Sequence, residues 1–194
     1  LVEPFLECII APGYTKAALK KLGKKKNLRV VESAQTEMGS NISIKSVAGG
    51  FLCQEIDSQH DELDNLKTVT IKSPTESESM AIKLGWRLVR HVKSNAIVFS
   101  NNNQLLGVGA GQMSRIDSVK IAIQKVKESG LDLRGAVMAS DAFFPFSDSI
   151  ELAANAGIAV VVQPGGSIKD KIVIQKADEL QISMVQTGMR HFLH

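Results

Sequence analysis

Short apolar runs alternate with polar turns and helix-like stretches along the whole chain. In the first third, four such runs predict strands, at 5–11, 28–32, 41–47 and 51–54. A helix is predicted at 14–24, and the acidic stretch 58–66 is expected to form a loop or a short helix. Runs of this length, bounded by glycine and polar residues, are typical of short strands.

The second half has a more regular alternation of strand-like and helix-like segments. Strands are predicted at 95–99, 104–107, 135–139, 158–162 and 182–186. Helices are predicted at 114–128, 147–156 and 169–180, and the asparagines at 101–103 predict a hairpin turn between the first two strands. Strand–helix–strand units of this length favour parallel pairing with right-handed crossovers. The pattern therefore predicts an α/β protein.

A further helix is predicted to begin just after Thr75. The hydroxyl of Thr75 can accept from the backbone N–H of Glu78, whose carboxylate can reach back to the N–H of Thr75, which is a capping box. The apolar residues that follow are spread around the helix rather than along one narrow stripe, so we expect it to be largely buried. Trp86, within this helix, is expected to be a core residue rather than a ligand contact.

Composition narrows the class of protein. A chain of 194 residues with 44% hydrophobic and 22% charged residues suits one globular domain or two small ones. A division into 1–73 and 74–194 is predicted. The longest apolar stretch falls far short of the roughly 20 residues of a membrane span. The first residues lack the basic-then-apolar pattern of a secretory signal, so we expect a cytoplasmic protein that contacts no membrane.

Charge and cysteine content argue against nucleic-acid and metal sites. The net charge is +3, and the lysines within 20–26 favour a solvated helix end over a nucleic-acid contact. Cys8 and Cys53 stand far apart, outside any C-x-x-C pair. The sequence has no H-E-x-x-H pair and no zinc-deaminase signature. We therefore expect no disulfide, no metal and no nucleic-acid partner.

Three strand-to-helix connections are candidates for binding, because ligands of α/β sheets lie where strands end and helices begin. The first, 107–115, carries Gly107, Gly109 and Gly111 and ends in Arg115. It is neither a dinucleotide fingerprint nor a Walker loop. Its glycines would let the backbone approach a ligand that Arg115 hydrogen-bonds, and the alternative is a tight turn with a surface arginine.

The other two connections differ in chemistry. The second, 140–148, places three phenylalanines around a proline, between two aspartates. These rings could form a wall for a flat heterocycle, or they could plug the core while Ser147 or Asp148 caps the next helix. The third, 163–170, is a Gly-Gly-Ser turn that opens a helix and could cradle an anion.

Taken in order, these segments resemble a known family. The stretches 94–98, 107–115, 139–146, 163–168 and 187–194 carry SNAIV, GVGAGQMSR, ASDAFFPF, QPGGSI and TGMRHFLH. They resemble the AICAR transformylase domain of the bifunctional purine biosynthesis proteins, which also carry IMP cyclohydrolase. The resemblance covers essentially the whole chain and is densest from Pro74 onward.

The resemblance implies a cytidine-deaminase-like α/β fold, with three α/β/α layers, a mixed sheet and no zinc. It implies formyl transfer from 10-formyltetrahydrofolate to AICAR, giving FAICAR in purine biosynthesis, in a cytoplasmic homodimer. The positions that match AICAR contacts of the family are Asn95, Arg115, Phe143 and Arg190. The positions that match its folate site are Ile116, Asp148, Ser167 and Ile168.

The chain departs from this family in one respect. In the family an adjacent Lys-His pair performs the acid–base work, whereas this sequence contains no Lys-His dipeptide. We therefore expect the C-terminal part of the transformylase domain, without a catalytic residue of its own and without the cyclohydrolase domain, acting with the rest of the bifunctional enzyme. The alternatives are a non-catalytic nucleotide- or folate-binding module and a deaminase relative that needs zinc.

Overall fold

The computed structural model describes residues 5–33, 42–57, 63 and 66–193. The chain forms two compact units, Leu1–Ser58 and Gln59–His194. This boundary lies earlier than the predicted division after residue 73, because a short strand at Lys67–Thr68 pairs with the last strand of the second unit. Most of the predicted loop or short helix at 58–66 lies outside the described residues.

The first unit contains a parallel strand pair with a helix between its strands. Strand β1, Cys8–Ala11, pairs with β2, Arg29–Glu32, and helix α1, Lys16–Leu22, connects them. The hydroxyl of Thr15 caps α1 by accepting from the N–H of Ala18 at 3.1 Å. The hydroxyl of Tyr14 lies 3.0 Å from the carbonyl oxygen of Ile9 and 2.9 Å from that of Val31, so it ties the two strands together.

A two-stranded antiparallel hairpin follows in the same unit. Strand β3, Ile42–Val47, pairs with β4, Gly50–Glu55, from Ile42 opposite Glu55 to Val47 opposite Gly50. Gly49 has a φ of 84° in the turn, a conformation that glycine adopts without the steric cost of a Cβ. The strands at 41–47 and 51–54 are thereby confirmed for the residues that the structure describes.

The second unit is built on a six-stranded mixed sheet in the order β5-β10-β9-β8-β6-β7. Its strands are β5 (Lys67–Thr68), β6 (Ile97–Ser100), β7 (Leu105–Gly109), β8 (Val137–Ser140), β9 (Val160–Gln163) and β10 (Ser183–Gln186). The pairs β8–β9 and β9–β10 are parallel, as predicted, whereas β6 is antiparallel to both β7 and β8. Strand β5, antiparallel to β10, has no counterpart among the predicted strands.

In the part of the chain that the structure describes, four helices cover the two faces of this sheet. They are α2 (Glu76–Val89), α3 (Arg115–Glu128), α4 (Asp148–Asn155) and α5 (Asp170–Glu179). Because successive strand side chains point to opposite faces, Met138 packs in one core with Val119, Ile150 and Val173 of α3, α4 and α5. Val98 packs in the other core, with α2. The predicted three-layer α/β/α arrangement with a mixed sheet is confirmed.

Helix α2 begins as its sequence predicts, but it is buried along one face rather than largely buried, since five of its 14 residues are buried and Met80 is 55% exposed. Thr75 and Glu78 form both hydrogen bonds of the capping box, with the Glu78 carboxylate 2.7 Å from the N–H of Thr75 and the Thr75 hydroxyl 3.2 Å from the N–H of Glu78. Trp86 is 2% exposed and belongs to the core, as expected. Its ring centroid lies 4.5 Å from that of His191, so α2 also supports the C-terminal segment. Within the described part of the chain, no helix combines the length and apolar character required to cross a bilayer.

Candidate functional site

The three predicted connections meet at one edge of the six-stranded sheet. In the register, Ile97 at the start of β6 pairs with Gly109 at the end of β7 and with Ser140 at the end of β8. Because β8, β9 and β10 are parallel, the connections that leave β8 and β9, and the segment after β10, lie at this same edge. Residues 94–96, 110–115, 141–147, 164–169 and 187–193 therefore form its rim.

An ion pair joins the first two connections. Nη2 of Arg115 lies 2.7 Å from Oδ1 of Asp141, and Nη1 of Arg115 donates to the carbonyl oxygen of Phe143 at 3.2 Å. The Arg115 side chain is 9% exposed and that of Asp141 is fully buried. Arg115 is therefore neither a surface arginine nor an isolated cation, because its charge is matched within the protein.

Asn95 is held between the start of β6 and the first connection. Its side-chain Nδ2 donates to the backbone carbonyl oxygen of Gln112 at 2.8 Å. The backbone carbonyl oxygen of Asn95 accepts from the hydroxyl of Ser118 in α3 at 2.7 Å. The peptide bond between Ser94 and Asn95 is cis. These contacts fix the Asn95 side chain next to the segment that ends in Arg115.

The glycines of the first connection do not have the role expected from the sequence. A Cβ on Gly109 would lie 1.9 Å from the carbonyl oxygen of Ser118, and one on Gly107 would lie 2.5 Å from Cγ2 of Val126. Both glycines thus permit close packing of β7 against α3 rather than close approach of a ligand. Gly111, with a φ of 66°, forms the turn after β7.

A cavity of about 360 Å³ lies beside this connection. It is lined by side chains from 95, from the start of α3 and from the connection before α4, among them Asn95, Arg115, Ile116, Phe146 and Asp148. Met113, also at its wall, is fully exposed. The cavity thus brings together four of the residues that the family resemblance assigned, from both the AICAR and the folate sets.

The aromatic residues of the second connection have divided roles. Phe144 is fully buried in the core, so the expectation of a three-ring wall is wrong for this ring. Phe143 is half-buried, with the Arg190 guanidinium carbon 4.9 Å from its ring centroid. Phe146 is 55% exposed, with Nζ of Lys169 4.0 Å from its ring centroid. Two of the three rings therefore reach the site, each against a cation from another segment.

The predicted side-chain cap of α4 takes another form. Ser147 occupies the N-cap position but makes no side-chain capping hydrogen bond, and its hydroxyl lies 3.3 Å from Oε1 of Glu151. Oδ1 of Asp148 instead accepts from the N–H of Ser149 at 2.7 Å. The carboxylate at the helix start satisfies one of the N–H groups that the first turn leaves without an intrahelical partner.

The Gly-Gly-Ser turn of the third connection is closed by an aspartate. Gly165 and Gly166 have φ values of 75° and 91°, and the N–H of Gly166 donates to Oδ2 of Asp170 at 2.7 Å. The hydroxyl of Ser167 accepts from the N–H of Lys169 at 3.1 Å. One N–H that an anion could use is therefore occupied by an internal carboxylate. Ile168 is fully exposed at the tip of the turn.

At the cavity wall, the start of α3 is capped by two hydrogen bonds between Ser114 and Asp117. The Ser114 hydroxyl accepts from the N–H of Asp117 at 3.3 Å and donates to the Asp117 carboxylate. This hydrogen bond, with a smaller contribution from Lys120, holds the pKa of Asp117 below its ordinary value. A negative charge in the first turn is also favourable to the helix dipole.

In the described part of the chain, no group of three or more His, Cys, Asp or Glu side chains is placed to bind a metal ion. Cys8 and Cys53 are exposed free thiols.

Comparison with known proteins places this chain in a family of purine biosynthesis enzymes. The sequence pattern of the family described as AICARFT/IMPCHase bienzyme matches residues 1–125. The bifunctional purine biosynthesis protein PurH of Synechocystis sp. is 47% identical over all 194 residues, and that of Chlorobaculum parvum is 50% identical over 192. The chain belongs to the AICARFT/IMPCHase bienzyme family. It spans about 37% of the length of these relatives.

Solved structures are less similar to this chain than these relatives are, both in sequence identity and in the share of the chain that is matched. The dCMP deaminase of the cyanophage S-TIM5 is similar over 58% of this chain and 98% of that one, with 16% identity and a TM-score of 0.39. A diaminohydroxyphosphoribosylaminopyrimidine deaminase/5-amino-6-(5-phosphoribosylamino)uracil reductase from Thermotoga maritima is similar over 56% of this chain and 36% of that one, with 19% identity and a TM-score of 0.39.

The structure places the eight family-implied residues in two neighbouring groups. Asn95, Arg115, Ile116 and Asp148 line the cavity. Phe143 and Arg190 lie together, and a methyl group placed on Gly166 would be 3.7 Å from Nη2 of Arg190, so this pair adjoins the turn of Ser167 and Ile168. Sequence reasoning missed Asp141 and Asp170 as partners within the site. Asp141 directly follows β8 and Asp170 begins α5, so each lies in or at the end of a strand-to-helix connection, which is the available signal.

Proposed function

We propose that this chain supplies part of the ligand-binding surface of an AICAR formyltransferase in purine biosynthesis. The substrate is the ribonucleotide AICAR, and the formyl donor is 10-formyltetrahydrofolate. Asn95, Arg115, Phe143 and Arg190 bind AICAR. Ile116, Asp148, Ser167 and Ile168 bind the folate.

One observation carries the proposal: two arginines from distant segments converge on Phe143. Arg190 lies over the ring, and Arg115 donates to the carbonyl oxygen of the same residue. A partly buried ring with one guanidinium over its face and a second at its backbone carbonyl suits a flat heterocycle that carries a carboxamide and a phosphate, since arginine stacks on planar groups and hydrogen-bonds oxygens in a fork. Asn95, fixed beside Arg115, adds an amide that can recognise polar ring substituents.

The chain's own part is binding and orientation, not acid–base catalysis. The 194 residues contain no Lys-His dipeptide, and the buried site carboxylate, Asp141, is engaged with Arg115. A positioned general base contributes about 10²–10⁴-fold to a rate, and electrostatic stabilisation at the reacting group adds about 10²–10³-fold. We therefore expect the formyl transfer to require further segments of the bifunctional enzyme, and a homodimer to complete the site.

Calorimetric titration with AICAR tests the proposal directly. Wild type, Arg190→Ala and Arg134→Ala would be titrated in parallel; Arg134 is an exposed arginine whose partner, Asp132, lies two residues away in sequence. Saturable binding that Arg190→Ala weakens at least about tenfold and Arg134→Ala leaves intact would support the proposal. Binding that neither substitution alters would place AICAR elsewhere, and no binding would refute a competent pocket in this chain.

A separate titration with a folate analogue tests the second ligand. Asp148→Asn removes the carboxylate at the cavity wall, and Asp178→Asn removes one from the far end of α5 as a control. A loss of folate affinity confined to Asp148→Asn is expected. Equal affinities of both variants and wild type would overturn the folate assignment while leaving the AICAR assignment standing.

A further inference from the structure

Asp141 joins four segments of the site although its side chain is fully buried. Oδ1 accepts from Nη2 of Arg115 at 2.7 Å, and Oδ2 accepts from the hydroxyl of Ser94. The Asp141 carbonyl oxygen accepts from the N–H of His191 at 2.9 Å, and the Asp141 N–H donates to the carbonyl oxygen of Ala96 at 3.3 Å. One residue thereby fixes the start of α3, the approach to β6 and the C-terminal segment relative to the end of β8.

The carboxylate has no freedom to turn away from Arg115. Each of its oxygens has a donor on a different segment, and burial in a low-dielectric environment makes loss of a partner costly. Arg115 is held in turn at both terminal nitrogens, by Asp141 and by the carbonyl oxygen of Phe143. Its Nε is buried and has no hydrogen-bond partner in the described part of the chain. The guanidinium plane is therefore set by the protein before any ligand arrives.

The ion pair also decides what kind of group Arg115 can recognise. A guanidinium whose charge is already matched by a buried carboxylate contributes directed N–H groups rather than a net positive charge. The aspartate itself cannot act on a substrate, because none of its side chain is exposed.

We propose that Asp141 is a positioning residue, which orients Arg115 for AICAR through their ion pair. The inference rests on the proposed function, and it adds a residue that the family resemblance did not assign. Preorganised donors lower the cost of binding, because the side-chain ordering is already achieved in the free protein. Asp141 thus acts on the ligand only through Arg115.

A ligand-independent measurement tests the positioning itself. The Nε–H signal of Arg115 in a ¹⁵N spectrum, identified by its loss in Arg115→Gln, should be sharp and slow to exchange in wild type. In Asp141→Asn, which keeps the shape and removes the charge, the same signal should broaden and exchange at least about tenfold faster. The Arg134 signal should be the same in both proteins. An Arg115 signal unchanged in Asp141→Asn would overturn the proposal.

A double-mutant cycle on AICAR binding tests whether the positioning matters to the ligand. Asp141→Asn and Arg115→Gln should each weaken AICAR binding about tenfold or more, and the double variant should bind like Arg115→Gln alone. A merely structural aspartate would give losses that multiply, and that result would overturn the proposal. If wild type binds no AICAR while the Arg115 signal still responds to Asp141→Asn, the proposed function fails and the positioning contact stands. Unfolding followed by the fluorescence of Trp86, the only tryptophan, verifies that each variant is folded at the assay temperature.

Discussion

The guanidinium carbon of Arg190 lies 4.9 Å from the ring centroid of Phe143, so a residue of the C-terminal segment covers the aromatic side chain that follows β8. Two neighbouring rings thus differ in the cation that each one faces. Phe143 is paired with Arg190, whereas Phe146 lines the cavity and is paired with Lys169. Arg190 belongs to the AICAR set, whereas Lys169 directly follows Ser167 and Ile168 of the folate set, so the two rings, three residues apart, are expected to serve different ligands.

Replacing each ring by leucine tests that separation. Phe143→Leu removes the face on which Arg190 and a heterocycle can stack, so AICAR affinity should fall by about 1–2 kcal/mol, or roughly five- to thirtyfold. Phe146→Leu should leave AICAR affinity within a factor of about two and weaken binding of a folate analogue instead. Calorimetric titration of both variants with both ligands measures the four changes. Equal effects of the two substitutions on AICAR would contradict the separation.

Gly109 is expected to be intolerant of any side chain. A Cβ there would lie 1.9 Å from the Ser118 carbonyl oxygen, which belongs to the backbone of α3 and cannot move without shifting the helix. Gly109→Ala should therefore lower the free energy of unfolding by about 3 kcal/mol or more, the upper range for overpacking. Urea unfolding followed by Trp86 fluorescence measures the change.

Gly130→Ala is the matched control for that substitution. Gly130 has a φ of 67°, and a methyl group at this position would have no atom within 4 Å, so only the left-handed backbone conformation opposes alanine. The expected loss is about 1–2 kcal/mol. If both variants lost the same stability, close packing of β7 on α3 would not be what requires glycine at 109.

Local sequence signals predicted most helices and strands of the second unit, but not the contacts that depend on residues distant in sequence. The capping residues Thr75 and Glu78 and the apolar strands could be recognised because each signal lies within a few residues. Strand β5 has only two residues, Lys67 and Thr68, and forms by pairing with the edge of β10. Because β10 is more than 110 residues away in sequence, no local pattern could predict this strand. Its detection needs the three-dimensional pairing.

The site shows the same limit. The connections at 107–115, 140–148 and 163–170 could be located from the rule that ligands lie where strands end. The role of Gly109 could not, because it depends on the distance to Ser118 across the β7–α3 interface. Likewise, the partner that neutralises Arg115 lies 26 residues away in sequence, and only the fold brings Asp141 to it.

In the first unit, stability should depend on the single tyrosine. The Tyr14 hydroxyl can donate to the carbonyl oxygen of Ile9 or of Val31, so Tyr14→Phe removes a hydrogen bond that links β1 to β2. A loss of about 1 kcal/mol is expected, and amide hydrogen exchange in β1 and β2 should quicken about fivefold.

Thr15→Ala is the neighbouring control. The Thr15 hydroxyl caps α1 through the N–H of Ala18, so its loss should speed exchange in α1 by a similar factor and leave the strands less affected. Exchange that responds in the same residues to both substitutions would show that the tyrosine hydroxyl has no specific role in strand pairing.

The cap of α3 should make stability depend on pH in the acid range. The hydrogen bond from Ser114, with a smaller contribution from Lys120, lowers the pKa of Asp117 in the folded protein. The stabilisation is therefore fully present above the unfolded-state pKa of about 3.9 and is lost as the pH falls through the lower, folded-state pKa.

Wild type should be more stable than Asp117→Asn at pH 6, and the difference should shrink on acidification. Urea unfolding of both proteins between about pH 6 and pH 2.5 measures it, and Ser114→Ala should flatten the dependence because the main cause of the shift is removed. A difference that stays constant over this range would mean that the Asp117 carboxylate does not stabilise the cap through its charge.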